Sequence, residues 1–177
     1  MRNLLLLFAI SFVCFNCKSP EARIPESAHS GSFLKESAAR NKKLNEEEQQ
    51  RIKAIIKTNP DIDYIASKSG FWYYYTVKSD NQSVFAGFGD VVNFKYNISD
   101  LNGTEIYSST QRTYIMDKQE LFTGLREGLK LMNPGDQITF IFPSQKAYGY
   151  YGDDKKIGTN VPLICDVTLN TITQEND

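Results

Sequence analysis

The chain has 177 residues, with 20 Lys and Arg against 21 Asp and Glu and a formal net charge of −1. That balance excludes a mainly electrostatic nucleic-acid binder, which carries a basic excess. A single histidine, His29, excludes a multi-histidine metal site within one chain, and three cysteines are too few for a disulfide-rich scaffold. Once a signal-like N-terminus is subtracted, the length suits one domain of about 100 residues plus a tether.

Arg2 supplies a positive start, and Leu4 to Val13 is apolar except for Ser11. A membrane-spanning helix needs roughly 20 apolar residues, so this shorter run reads as the core of an export signal. Cys14 and Cys17 have the spacing of a redox pair, but the strand-then-helix setting of such a pair is missing. The stretch instead resembles a bacterial lipobox. Residues 1–16 then form a lipoprotein signal peptide, cleaved before an acylated Cys17. Cys17 is favoured because the sequence turns polar at Lys18, with Cys14 the alternative. Each buried CH₂ of the acyl chains contributes about 0.8 kcal/mol to anchoring. A lipid bilayer is thus an expected partner, and the expected location is the bacterial cell envelope, lipid-anchored and facing the periplasm. Residues 17–32, rich in Pro, Ser, Glu and Gly, read as the flexible lipidated tether, and His29 lies in it.

A helical extension is expected over 33–62. Asn45 followed by Glu46, Glu47 and Glu48 reads as a helix N-cap with an acidic first turn. Ile52, Ile55 and Ile56 form an apolar stripe, and Asn59-Pro60 stops the helix. The stripe packs either on its own domain or on a partner helix. Phe71 to Val77 reads as a strand whose aromatic run falls on alternate faces, for the core or for a stacking platform. Val91 to Ile98 is a half-buried strand with Val92, Phe94, Tyr96 and Ile98 on one face. A turn at Asp100–Gly103 leads into extended structure over Glu105–Ser109.

Lys118 to Met132 has the pattern of a helix, with Leu121, Phe122, Leu125, Leu129 and Met132 on one side. Gly124 and Gly128, four residues apart, mark close backbone approach. Ile138–Phe142 is a strand closed by Pro143, a Gly/Tyr/Asp/Lys loop follows from Ala147 to Thr159, and Val161–Ile172 is the final strand. Cys165 on that strand is expected to be a buried thiol. These elements make residues 63–177 an α+β domain, one helix lying across an antiparallel sheet.

Ordinary catalytic clusters are missing from the sequence. No Gly-rich phosphate loop opens a helix, and no Gly-x-Ser-x-Gly elbow is present. Asp153-Asp154 is followed by Lys155-Lys156 and lacks the spaced ligands of a calcium loop. Neither a metal nor a cofactor is expected. What stands out is a set of aromatic and apolar residues in fixed order: Tyr96 on a strand, Leu121-Phe122 at a helix entry, Ala147-Tyr148-Gly149 at the start of a loop and Ile157 at its end.

With Gly89-Asp90-Val91-Val92, Asn102-Gly103, Tyr107-Ser108-Ser109, Gly124-Leu125-Arg126-Glu127-Gly128-Leu129, Pro134-Gly135-Asp136, Phe142-Pro143 and Leu163 to Leu169, this order resembles the FKBP-type peptidyl-prolyl isomerases. The likeness runs from Gly89 to Ile172. The lipobox, residues 30–37 and Phe142-Pro143-Ser144-Gln145 extend it to the gliding-motility-associated FKBP-type lipoproteins (GldI-like). The resemblance implies a curved antiparallel sheet wrapped around one short helix. It also implies cofactor-free isomerisation of bonds preceding proline, acting as a folding catalyst on proline-containing segments of envelope proteins.

Residue by residue, Tyr96 matches a pocket-wall tyrosine, and Tyr148 the tyrosine whose hydroxyl bonds the substrate carbonyl. Leu121 and Phe122 match the helix-entry pair lining the pocket, Ile106 a pocket phenylalanine and Ile157 an apolar residue of the flap loop. Tyr107 stands where the family has a pocket aspartate, Leu125 where it has the tryptophan of the pocket floor, and Cys165 where an aromatic is common. Tyr114 is the nearest match to a further pocket aromatic. These departures predict weakened catalysis, which keeps open a binding module or chaperone of the same fold, or a structural lipoprotein. Tyr96, Phe122, Leu125 and Tyr148 each carry a plain core reading beside the functional one.

Overall fold

The computed structural model describes residues 30–80 and 84–175. The chain divides into two units, Met1–Ala38 and Ala39–Asp177. Of the first, residues 30–38 are described and are helical. The signal segment, Cys14, Cys17 and the tether up to His29 lie outside the described residues.

Helix α1 runs unbroken over Ser30–Thr58. It starts before Phe33 and passes straight through Asn45, which is therefore not an N-cap. A capping residue ends nothing when good helix formers flank it on both sides, and Leu34 to Leu44 holds Lys, Glu, Ala, Arg and Leu with no Gly or Pro. The acidic run instead supplies i,i+4 partners, Lys42 with Glu46 and Lys43 with Glu47. The helix ends where expected. Thr58 Oγ1 and Asn59 Nδ2 both donate to the Ile55 carbonyl, at 2.8 and 2.9 Å, ahead of Pro60.

Six strands follow: β1 (Ile65–Ala66), β2 (Trp72–Val77), β3 (Val91–Ser99), β4 (Glu105–Ile115), β5 (Gln137–Phe142) and β6 (Leu163–Thr173). They form one sheet in the order β1-β2-β5-β6-β3-β4, and every neighbouring pair is antiparallel. The aromatic run of β2 resolves toward the core on alternate positions. Phe71 is buried and Tyr73 and Tyr75 pack on the same cluster, whereas Tyr74 meets Tyr64 edge-on.

Strand β4 runs well past Ser109. Its extra length is polar from Thr110 to Thr113 and sits at the sheet edge, so that stretch has no apolar signature. It is fixed by the ladder from Thr110 to Ile115 and by side chains: Asn93 Nδ2 donates to Thr113 Oγ1 and Gln111 Nε2 to Asn93 Oδ1.

Helix α2 covers only Thr123–Leu129, much less than the expected Lys118–Met132. Residues ahead of it are held as a turn. Asp117 has φ of 59°, the Ile115 N–H donates to Gln119 Oε1, the Tyr114 hydroxyl donates to the Gln119 carbonyl, and Arg112 donates to the Glu120 carbonyl. Phe122 is extended at the helix entry. Apolar spacing of a helical kind thus continues into residues that reach the core without being helical.

The short helix lies against β5 because its glycines leave room. A Cβ on Gly124 would stand 2.5 Å from Phe142 Cδ1 and 2.7 Å from the Lys146 carbonyl oxygen. On Gly128 it would stand 2.9 Å from Phe140. Phe140 and Phe142 are fully buried and stacked 5.4 Å apart. Leu125, Leu129, Phe94, Leu163, Cys165 and Val167 complete the core between helix and sheet. Burying each such large apolar side chain stabilises by about 1.5–3 kcal/mol. Among the described residues no helix is long and apolar enough to cross a membrane.

Candidate functional site

Three pieces of chain converge beside the helix entry. Strand β3 ends in Tyr96 and Ile98, with a register shift between them. The facing part of β4 presents Tyr107, Ser108 and Thr110. The loop between β5 and β6 brings Tyr148, Asp153, Lys155 and Lys156. Together they enclose a cavity of about 530 Å³. A second recess of about 420 Å³ is lined by Arg112, Glu120, Leu121, Phe122, Thr123 and Ala147. Tyr148 belongs to both.

Tyr148 is set by aromatic packing beneath it. Its ring lies 5.2 Å from that of Phe122, which meets Phe142 edge-on at 5.4 Å. Phe142 is the core residue against Gly124, so the helix–sheet contact continues upward into the site. Burial, followed by the nearby Tyr96 and Asp153, pushes the Tyr148 pKa up to about 12. At neutral pH the hydroxyl is a protonated donor between two recesses, able to offer its proton to a carbonyl oxygen.

Asp153 holds the loop in shape. Its Oδ1 accepts the backbone N–H groups of Lys155, Lys156 and Ile157, at 3.0, 3.0 and 2.7 Å. Its Oδ2 accepts the Tyr107 hydroxyl. Burial acts to raise the Asp153 pKa, but the Tyr107 hydroxyl and the three amides outweigh it and hold the carboxyl below the ordinary range. The same bond raises the Tyr107 pKa. Lys156 closes the rim: its ammonium donates to the Ile106 carbonyl at 3.2 Å and stands over the Tyr107 ring.

The structure thus brings together Tyr96, Tyr107 and Tyr148 in one cavity and Leu121, Phe122 and Tyr148 in the other. Ile106 is half-buried beside Tyr107, and Ile157 is buried at the loop's end, where its carbonyl accepts the Asp153 N–H. Tyr114, Leu125 and Cys165 are placed elsewhere. All three are 0% exposed and lie in the core, outside the lining of either cavity. Burial pushes the Cys165 thiol pKa far up, so it is an inert buried thiol.

Sequence reasoning missed Ile98, Ser108, Thr110, Lys155 and Lys156 as lining residues, and weighed Asp153 only as a calcium ligand. The signal available for Asp153 was local: an aspartate ahead of two or three free amides in a Gly-rich loop is a turn former. Its reach across to Tyr107 has no signature in the sequence. Among the described residues no group of three or more His, Cys, Asp or Glu is placed to hold a metal ion.

Residues 82–170, half of the chain, match the model of the FKBP-type peptidyl-prolyl cis-trans isomerase family. Similar curated proteins include the probable FKBP-type peptidyl-prolyl cis-trans isomerase FkpA of Neisseria meningitidis serogroup B, 28% identical over 68% of this chain and 45% of its own length. The peptidyl-prolyl cis-trans isomerase FKBP9 of Homo sapiens is 30% identical over 52% of this chain and 17% of its own. The chain therefore spans less than half the length of these curated relatives. Among solved structures, FkpA from Escherichia coli superposes with a TM-score of 0.61 at 19% identity, covering 98% of this chain and 82% of that one. A peptidyl-prolyl cis-trans isomerase of Pseudomonas syringae pv. tomato gives 0.61 at 16% identity, over 75% and 96%. At these identities the superpositions establish the fold.

Proposed function

The chain belongs to the FKBP-type peptidyl-prolyl cis-trans isomerase family, and on that premise we propose that it accelerates cis/trans isomerisation of the bond preceding proline in extended protein segments. The observation that carries the reading is the Tyr148 hydroxyl, protonated and lining both recesses.

The uncatalysed barrier of about 18–20 kcal/mol comes from the partial double bond of the amide, which is lost as the bond twists. A twisted amide has less charge separation than a planar one, so a site lined by the rings of Tyr96, Phe122 and Tyr148 favours it over the ground state. Tyr148 donates to a substrate carbonyl and fixes one side of the rotating bond. Tyr96 lines the same cavity. No step needs a nucleophile or a cofactor.

Full-length protein in detergent micelles, added to a short Phe-Pro or Leu-Pro peptide, gives the test by exchange NMR. Acceleration of cis/trans exchange is expected, falling on the order of tenfold or more in Tyr148→Ala. A folded wild type that leaves the exchange rate unchanged overturns the reading.

One observation favours a second reading, a binding module of the same fold. Tyr107 is held by Asp153 in the cavity and Leu125 lies wholly in the core, at the two positions where the resemblance puts a pocket carboxylate and an indole floor. On that reading Tyr148→Ala loses affinity for a proline-containing peptide that the wild type holds without turnover.

The finer assignment rests on sequence. The apolar run from Leu4 and the polar turn after Cys17 support a lipid anchor at Cys17 and a place in the bacterial envelope. The likeness to GldI-like lipoproteins supports proline-containing clients of the gliding machinery. Mass spectrometry of the membrane-fraction protein tests the anchor. A diacylglyceryl mass on Cys17 that is abolished by Cys17→Ser is expected, and the same mass on Cys14 overturns it.

A further inference from the structure

A buried carboxylate outside the family-matched residues reaches the base of the loop that carries Tyr148. Glu48 lies in the middle of α1 and is only 6% exposed. Its Oε2 accepts the Ser144 N–H at 2.9 Å, and its Oε1 accepts the Ser144 hydroxyl proton at 2.6 Å. Such bonds to a carboxylate are short and stronger than those between neutral groups. Ser144 is itself buried. It follows directly on Pro143 and opens the single 3₁₀ turn Ser144–Lys146.

The grip is passed on through one carbonyl. The Ser144 carbonyl oxygen accepts the Ala147 N–H at 3.0 Å and the Gly149 N–H at 2.8 Å. Those are the residues on either side of Tyr148. Gly149 has φ of 60° and its carbonyl accepts the Asn160 N–H, so the far side of the loop is tied to the same point. Ile52, one turn beyond Glu48, is fully buried, which fixes the helix that presents the carboxylate.

We propose that Glu48 is a positioning residue for Tyr148: by clamping both donors of Ser144 it fixes the residue whose carbonyl holds the two neighbours of the tyrosine. This rests on the isomerase reading above for its catalytic consequence, but its geometric content stands independently. It makes α1 a working part of the site, since residues 82–170 alone do not include the clamp. The alternative is a purely structural role, in which Glu48 only docks the helix.

The test uses the full chain in detergent, with Glu48→Ala and Glu48→Gln made in the wild type and in Tyr148→Ala. In the wild type, Glu48→Ala is expected to lower kcat/KM about tenfold, with the loss mainly in kcat, since misplacing a contacting group weakens the transition state first. Glu48→Gln keeps one acceptor for the Ser144 N–H and recovers part of that loss. In the Tyr148→Ala background Glu48→Ala is expected to change kcat/KM by less than about twofold, because the group it positions is gone. Equal losses in both backgrounds overturn the proposal in favour of a structural role, and so does an unchanged kcat/KM in Glu48→Ala.

A second readout does not depend on activity. Hydrogen exchange at the Ala147 and Gly149 amides is expected to rise at least about tenfold in Glu48→Ala, while the β3 and β6 amides keep their protection. Exchange unchanged at 147 and 149, or raised everywhere alike, overturns it. An inactive wild type sinks the isomerase reading, and the exchange result then decides the positioning of Tyr148 by itself.

Discussion

The contact between α2 and β5 and the loop from Ala147 to Asn160 meet at Phe122 and Phe142, yet they are held by opposite means. Below, Gly124 and Gly128 let two stacked phenylalanines fill the space against the helix, and the contact is apolar and sterically tight. Above, the loop has few core residues. One carboxylate, Asp153, gathers three amides and a tyrosine hydroxyl, and Glu48 holds its base. A steric contact is indifferent to solvent and fails when volume is added. A carboxylate-centred loop tolerates volume and fails when an acceptor is removed. The site thus has a rigid floor and a roof whose geometry depends on charge.

The largest effect is expected where the floor is tightest. Gly124→Ala places a methyl against the Phe142 ring and the Lys146 carbonyl, and the backbone oxygen cannot yield as a side chain does. A loss of about 3 kcal/mol in unfolding free energy is expected by denaturant titration, even though alanine favours the helix by about 1 kcal/mol. Gly128→Ala meets only the Phe140 ring, at 2.9 Å, and should lose about half as much. If the two variants are equally stable, the helix is not seated as tightly as its glycines imply.

The roof should respond less in stability and more in activity. Asp153→Ala removes the acceptor of four hydrogen bonds. Because the carboxylate is only half-buried, a loss of about 1–2 kcal/mol is expected, with kcat/KM on a prolyl peptide falling about tenfold as Lys156 and Tyr107 lose their fixed places. Unaltered turnover would show that the loop organises itself without the carboxylate. Tyr148→Phe keeps the ring against Phe122 and removes one donor. Its kcat/KM should drop about fivefold, equivalent to one hydrogen bond of roughly 1 kcal/mol, with stability unchanged. A drop as large as that of Tyr148→Ala would give the whole effect to the hydroxyl and none to the ring.

The floor was far more legible in the sequence than the roof. Gly124 and Gly128 at four-residue spacing announced a close approach, and alternation in β3 and β6 named the buried face, because both are periodic and local. The same periodicity overran α2. Leu121, Phe122 and Met132 are apolar for the core's sake, and spacing alone does not distinguish an apolar residue in a turn from one in a helix. In α1 the opposite failure occurred. Glu48 read as one member of an acidic first turn, yet it is buried against Ser144, 96 residues away. Asp153 and Tyr107 are likewise 46 apart. Contacts of that span, made by single polar side chains, leave no period and no motif. The likeness to a family grouped Tyr96, Phe122 and Tyr148 with Tyr114, Leu125 and Cys165, and of these the first three line the two cavities. The chain buries Tyr114, Leu125 and Cys165 in its core.

The smallest expected effect is also the cleanest discriminator between floor and roof, because along the pH axis each protein gains or loses only protons. Asp153 has a folded pKa below its unfolded value, so its stabilisation is complete above about pH 4 and is lost as pH falls through the lowered folded value. Tyr148 has the reverse sign. Its folded pKa near 12 exceeds the unfolded value of about 10, so its contribution is complete below about pH 10 and is lost as pH rises from there toward 12. Between those limits both groups keep the protonation states the site needs, and kcat/KM should be flat from about pH 5 to about pH 9. The stability gap between wild type and Asp153→Ala should therefore close as the solution is acidified, since the wild type loses there what the variant already lacks. The gap between wild type and Gly124→Ala should not, because the crowding of Phe142 and the Lys146 carbonyl involves no proton. Denaturant midpoints of the three proteins along an acid series decide the matter. Parallel curves for all three would mean that Asp153 holds the loop by shape and not by charge.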